Sequence, residues 1–204
     1  MNKQVSTSVI NKIGRLVLII ALSVMLCGCG SEESGETRIT IDKDGAVTST
    51  IYDDFGEEYY DLSELEDMAT REISYYNSEY DSPKITLSDS KTIGDGEVML
   101  SMQFESADDY SHFNQVTFFY GTVAEAQERG FSISGDLLDS NGIKISKEAL
   151  ADYSERHIII SSDKTKIVAP FNIEYATRNV VIKDKKEADL SEVFDDNVQL
   201  LLSK

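Results

Sequence analysis

The sequence predicts an α+β fold, an antiparallel sheet with one main covering helix, and three features predict it. A hairpin pattern opens the body of the chain, an amphipathic helical period follows over residues 62–78, and the best alternating strand comes after that helix. With 41% hydrophobic residues, ten Tyr and eight Phe, a chain of 204 residues has enough apolar material for one packed domain plus an appendage.

Residues 37–42 alternate, Lys43-Asp44-Gly45 supplies turn chemistry, and residues 46–52 return with β-branched side chains, so they read as a hairpin. Leu62, Leu65, Met68, Ala69, Ile73 and Tyr76 recur at spacings of three and four. Ser63 and Glu66 fit a capping box, and the helix is expected to stop between Asn77 and Tyr80, ahead of Pro83. A short strand at 84–88 precedes residues 96–105, where Val98, Leu100, Met102 and Phe104 share one face and Met99, Ser101, Gln103 and Glu105 the wetter one. Ser106 to Asp109 caps a short helix carrying Tyr110 and Phe113. After the apolar run 116–120, Thr122 to Glu125 caps another that Gly130 ends. Ser140-Asn141-Gly142 marks a turn and residues 147–155 a helix. Residues 157–160, 166–175 and 179–183 read as a closing meander with Pro170 at an edge or bulge. The single domain is therefore placed at 37–183, with a core that includes Ile51, Leu65, Met68, Ile73, Leu100, Met102, Phe104, Phe118 and Ile159. Residues 184–204 are a C-terminal extension with three options: a helix from Asp189, a strand at 198–202, or a frayed tail.

The first 28 residues read differently. Lys3, Lys12 and Arg15 occur without an acid in residues 1–15, and an apolar run from Leu16 to Leu26 follows, broken only by Ser23. That is a signal-peptide profile. Eleven helical residues rise about 16 Å, roughly half of the ~30 Å hydrocarbon layer, so the run is too short to remain as a span. It ends in Leu26-Cys27-Gly28-Cys29, which resembles the lipobox of bacterial lipoproteins: an aliphatic residue three before the cysteine, a small residue directly before it, then Cys29. The resemblance implies a diacylglycerol thioether on Cys29, cleavage after residue 28 and loss of Cys27, whose place Ala, Ser or Thr more often fills. Two acyl chains anchor stably where one binds marginally. Residues 29–36 then form the lipidated Cys and a small, acidic, flexible tether. No cysteine pair remains for a disulfide, so stability must come from packing.

From residue 37 onward the hairpin containing Ile41-Asp42-Lys43-Asp44-Gly45, the helix, the alternating strand and the late meander together resemble the LppM-like lipoproteins of Gram-positive bacteria. The likeness spans 37–183 and implies an α+β surface domain with a lipid or envelope ligand and no catalytic residues to carry over. The acidic, Lys-poor surface also points to a Gram-positive host.

Charge and motifs narrow the function. With 37 acidic against 19 basic residues, a net charge of −18, no basic stripe exists to neutralise phosphates, which excludes nucleic acid as an expected partner. No Gly-x-Ser-x-Gly, Walker loop or His-Glu-x-x-His is present, and His112 and His157 read as structural or surface residues. Two carboxylates suffice for a glycan hydrolase, and Asp53, Asp54, Glu57 and Glu58 are the candidates; so acidic a chain, without Trp, more readily makes such clusters on solvated faces. Asp42 and Asp44 leave room for loose calcium binding, but Gly45 falls at the wrong position for an EF-hand loop. No cofactor, resident metal or catalytic residue is expected. The candidate partner-binding patch is Tyr59, Tyr60 and Tyr75 with Glu57 and Glu58, since Tyr gives amphipathic contact area; Tyr76 and Tyr80 read as core. The expectation is a non-catalytic binding or accessory protein on the extracytoplasmic side of the cell membrane. Its partner is an envelope protein, glycan or lipid, and the alternative is a carrier of an apolar ligand.

Overall fold

Asp42 turns its carboxylate back onto the amides of Asp44 and Ala46, both at 2.9 Å, and Gly45 takes φ +91, so a five-residue connection, 42–46, closes the first hairpin. The computed structural model describes residues 35–55, 61–93 and 96–204, which belong to one unit of the chain. The signal segment, Cys29, Glu57, Glu58, Tyr59 and Tyr60 lie outside the described residues. At the start of the described residues, Thr37 Oγ1 accepts from Tyr52 N at 3.0 Å, and the Glu36 carboxylate pairs with Lys166.

The hairpin strands are β1 (Arg38–Ile41) and β2 (Val47–Asp54). The helix follows as α1 (Leu62–Asn77), but its cap is Asp61, which accepts from Ser63 N at 2.8 Å, rather than Ser63 itself. Glu66, freed from capping, accepts from Ser90 Oγ at 2.5 Å and ties α1 to β3 (Ile85–Ile93), a strand that runs five residues beyond the expected end. Next comes β4 (Glu97–Phe104), paired antiparallel with β2 and β3. The register puts Val47, Ile85 and Phe104 on one row and Ser49, Leu87 and Met102 on the next, a face that α1 covers in part. Met99 and Ser101 on the opposite face are also buried, because β4 is an inner strand and Met99 lies between Tyr52 and Lys91.

Ser106 caps α2 (Ala107–Asn114), which ends at Gln115 in the left-handed region, φ 56. A complete capping box of Thr122 and Glu125 joins β5 (Phe118–Thr122) to α3 (Val123–Glu128), and Gly130 at φ +88 ends it. The helix expected over 147–155 is α4 (Lys147–Ala151), with turns to residue 155. The remaining strands are β6 (His157–Ser161), β7 (Lys166–Val168), β8 (Ile173–Ala176), β9 (Val181–Asp184), β10 (Glu187–Asp189) and β11 (Val198–Leu202).

These strands do not make the expected meander, because the chain crosses repeatedly between two sheets. The first sheet has the order β3-β4-β2-β1-β7-β10-β9, and β7 enters it parallel to β1 with Ile39 opposite Ile167. The second has the order β5-β6-β11-β8. The fold is α+β with two mostly antiparallel sheets, one main helix on the first sheet, and short helices. Of the three options for the chain after residue 184, the strand is the one formed, and it is central to its sheet.

The cores follow from this layering. Phe118, Ile159, Val198, Leu200 and Leu202 from the second sheet pack with Ile39, Ile167 and Phe104 from the first. The other side of the second sheet, with Phe119, Ile158, Ile160 and Leu201, meets Val123, Ala126, Leu137, Ile145 and Tyr153. Strands buried on both faces need apolar runs rather than alternation, which accounts for Ile158-Ile159-Ile160 and Leu200-Leu201-Leu202, all at 0% exposure. Ile51, Leu65 and Met68, expected in the core, are only half-buried.

Leu200→Ala is therefore expected to lower the unfolding free energy by about 2–5 kcal/mol in a urea titration. Val181→Ala, on exposed edge strand β9, should change it by less than about 0.5 kcal/mol. Equal effects would contradict the central placement of β11.

Candidate functional site

Tyr120 projects from β5 toward the first hairpin. A Cβ added at Gly45 would sit 3.6 Å from its ring, an ordinary contact, so the glycine answers to its φ of +91 in the turn rather than to the aromatic. Across the β5–β6 ladder the ring stacks on His157, with centroids 5.0 Å apart and planes at 19°, a diagonal pair in the register that sets Tyr120 opposite Ile159. Around this pair, Lys43 and Asp44 of the hairpin, Ser106 and Asp108 at the start of α2, and Arg129 beyond α3 border a cleft of about 280 Å³.

Two buried polar atoms here, Tyr120 Oη and His157 Nδ1, have no hydrogen-bond partner among the described residues. Leaving such a group unmet costs about 1–3 kcal/mol. Burial first, then the Asp42 and Asp44 carboxylates, push the Tyr120 hydroxyl up to about 12, so it keeps its proton at neutral pH and can donate. Other groups are committed. Arg129 Nη1 donates to Asp108 Oδ1 at 2.6 Å, and its guanidinium carbon lies 5.3 Å from the Phe119 ring centroid. Glu125 accepts from Thr122 N at 2.7 Å and Oγ1 at 3.0 Å, contacts that hold its carboxyl below the usual range. Gly121 is needed beneath it, since a Cβ would come within 2.7 Å of the Phe119 ring and 2.8 Å of the Glu125 carboxylate. Ser106 donates to Asp109 Oδ2 at 2.5 Å and accepts from Asp109 N at 3.1 Å, so it serves as a cap. The cleft is lined by Tyr120, His157 and charges of both signs, with the two unmet polar atoms buried just behind its wall, a setting that suits a small hydrophilic ligand.

Two other carboxylates near α2 serve the fold. Asp109 accepts from Tyr76 Oη at 3.1 Å, and Tyr80 Oη donates to Tyr76 Oη at 3.2 Å, which fastens the end of α1 to the start of α2. Edge-on contacts continue from Tyr76 to Phe113, Phe104, Tyr110 and Phe118 at centroid distances of 4.8–5.8 Å. Tyr110 Oη donates to Asp163 Oδ2 at 2.7 Å; burial pushes the Asp163 carboxyl up and, with that carboxylate beside it, the Tyr110 hydroxyl far up.

Of the expected patch, only Tyr75 is described, and at 71% exposure it stands in solvent on the outer face of α1. Tyr76 packs on the core, but Tyr80, expected there too, is 38% exposed at its margin. Asp53 and Asp54 are consecutive strand residues and face opposite sides of the sheet; burial raises the Asp53 carboxyl, and its Oδ1 accepts from Asp54 N at 2.9 Å. The Asp42 oxygen suggested for calcium braces the hairpin, and among the described residues no three His, Cys, Asp or Glu side chains converge to hold a metal. His112 is exposed in the last turn of α2. Sequence reading missed Tyr120, Lys43 and Arg129 as a group. The available signal was Tyr120-Gly121 inside a strand, where glycine marks a close approach.

The same substitution should have opposite consequences at two tyrosines. Tyr110→Phe takes the hydroxyl donor from the buried Asp163 carboxyl and is expected to cost about 1–3 kcal/mol, whereas Tyr120→Phe removes an unmet hydroxyl and should leave stability unchanged or raise it. Urea titrations of both variants check this, and a destabilised Tyr120→Phe would show that the hydroxyl is already satisfied.

Comparison of the chain with family models, with curated proteins and with solved structures finds no match.

Proposed function

We propose that the chain is a lipid-anchored, extracytoplasmic binding or accessory protein of the cell envelope, working without catalysis, and that the Tyr120–His157 cleft takes a hydrophilic envelope component such as a glycan or a peptide end. The observation that carries this reading is the pair of buried atoms, Tyr120 Oη and His157 Nδ1, with no partner within the described residues. A polar ligand group that meets either atom would recover about 1–3 kcal/mol. In this reading the membrane connection is the lipid on Cys29; among the described residues no helix is long and apolar enough to cross a membrane. The acidic composition suits a basic partner, which the exposed Tyr75 could meet.

Carriage of an apolar ligand between sheet and helix is less well supported. The space between the two sheets is occupied by Ile39, Ile159, Ile167, Leu200 and Leu202, each at 0–1% exposure, and the clefts are lined by charged residues. Labelling with a fatty-acid analogue in the host is expected to mark the wild type and not Cys29→Ala, and equal labelling of both would refute the anchor. Native mass spectrometry of the chain purified from its host should show a hydrophilic adduct that Tyr120→Phe loses. A co-purified acyl lipid in its place would favour the carrier.

A further inference from the structure

Phe194, in the connection between β10 and β11, is 93% exposed, more than any other large apolar side chain among the described residues. The backbone on either side of it is fastened. Val193 is 4% exposed, packs in the core between the sheets and donates its amide to Leu190 O at 3.1 Å, and Val198 beyond the loop is 1% exposed. The ring is therefore held out in water by a braced loop, against the tendency of apolar surface to leave it.

The first sheet sets where this loop stands. β7 runs parallel to β1 with Lys166 opposite Arg38, which puts Lys164 level with Glu36. Three contacts hold that alignment: Glu36 pairs with Lys166, Thr165 Oγ1 donates to Thr37 O at 2.9 Å, and Lys164 Nζ donates to Asp195 O. Phe194 thus lies beside the point from which the chain leads back to Cys29. Seven residues, 30–36, follow that cysteine, and they span at most about 25 Å. A domain of about 170 residues has a radius of gyration of about 15 Å and is wider than that lead is long. So short a lead restricts which side of the domain can face a bilayer that holds a lipid on Cys29, and it is the side that carries Phe194.

We propose that Phe194 docks on the lipid surface to which Cys29 is anchored, its ring entering the head-group region and fixing which way the domain faces. The proposal rests on the lipid anchor of the preceding reading and is independent of the Tyr120–His157 cleft. A single ring binds a bilayer too weakly to recruit a free protein, but an anchor makes the contact intramolecular and raises its effective concentration. Glu192, Asp195 and Asp196 flank the ring and are repelled by anionic head groups, so the insertion is shallow and favours neutral lipid.

The chain contains no Trp, so Phe194→Trp and Tyr75→Trp each carry one indole. Tyr75 serves as the remote control: it sits near the end of α1, where Asn77 accepts from Ile85 N at 3.0 Å, in the row of Ile85, Phe104 and Val47 beside the first turn. Each full-length variant is purified from the host, its acylation established by mass, and reconstituted into phosphatidylcholine vesicles with and without acyl-chain-brominated phosphatidylcholine. Emission of Phe194→Trp is expected to shift to the blue on vesicles and to be quenched by the brominated lipid. Neither effect is expected in Tyr75→Trp, nor in Cys29→Ala combined with Phe194→Trp. Acylated Phe194→Trp on vesicles whose indole is neither shifted nor quenched overturns the docking and leaves the anchor standing. A shift that brominated lipid does not quench marks contact with protein, a second copy included, and overturns it too. A chain that carries no acyl group overturns the anchor and the docking together.

Discussion

The fold depends on one strand being buried on every side. β11 hydrogen-bonds to β6 along one edge and β8 along the other, and its side chains fill two different cores: Val198, Leu200 and Leu202 face the first sheet, while Leu201 faces the short helices. Each fully buried aliphatic side chain contributes roughly 1.5–3 kcal/mol, and few segments of the described chain concentrate so much burial in five residues. Without β11 the second sheet is divided, since β8 contacts β6 only through it. β11 thus holds together a sheet that packs on the one begun by the first hairpin.

This closure also sets where ligands can be received. The Tyr120–His157 pair lies at the seam where β5 and β6 of the second sheet pass the β1–β2 turn of the first, and the Lys43 turn borders the cleft. Packing inside the seam is apolar and complete, so polar groups collect at its rim. Most are absorbed locally, as Arg129 is by Asp108 and Glu125 by Thr122. Among the described residues, Tyr120 Oη and His157 Nδ1 are what this local pairing leaves over.

Local chemistry was legible in the sequence, and sheet membership was not. The Ser106 cap, the Thr122–Glu125 capping box, the Gly130 stop and the first hairpin each rest on contacts within a few residues. Asp-Leu-Ser-Glu shows how far such information reaches. At 61–64 and 189–192 its Asp accepts from the Ser amide two residues on, yet the first instance starts a helix and the second ends a strand. Sheet assignment failed where alternation disappears. Residues 158–160 and 200–202 are apolar on both faces, and a period-two pattern cannot reveal which of two sheets a strand joins. The Tyr120–His157 pairing was hidden for the same reason, because it exists only once β5 and β6 are neighbours. The Tyr120–His157 cleft likewise brings residue 43 beside 106–108, 129 and 157, which no window of sequence contains.

Native-state hydrogen exchange, resolved by residue, tests most directly whether β11 closes the fold. The amides of Leu200 and Leu201, with those of Ile158 and Ile160, are expected to exchange only through global unfolding, with an opening free energy equal to that from urea denaturation. Exchange of the β11 amides through a lower-energy opening, while the first sheet stays protected, would show that the strand is an addition to a domain already stable without it.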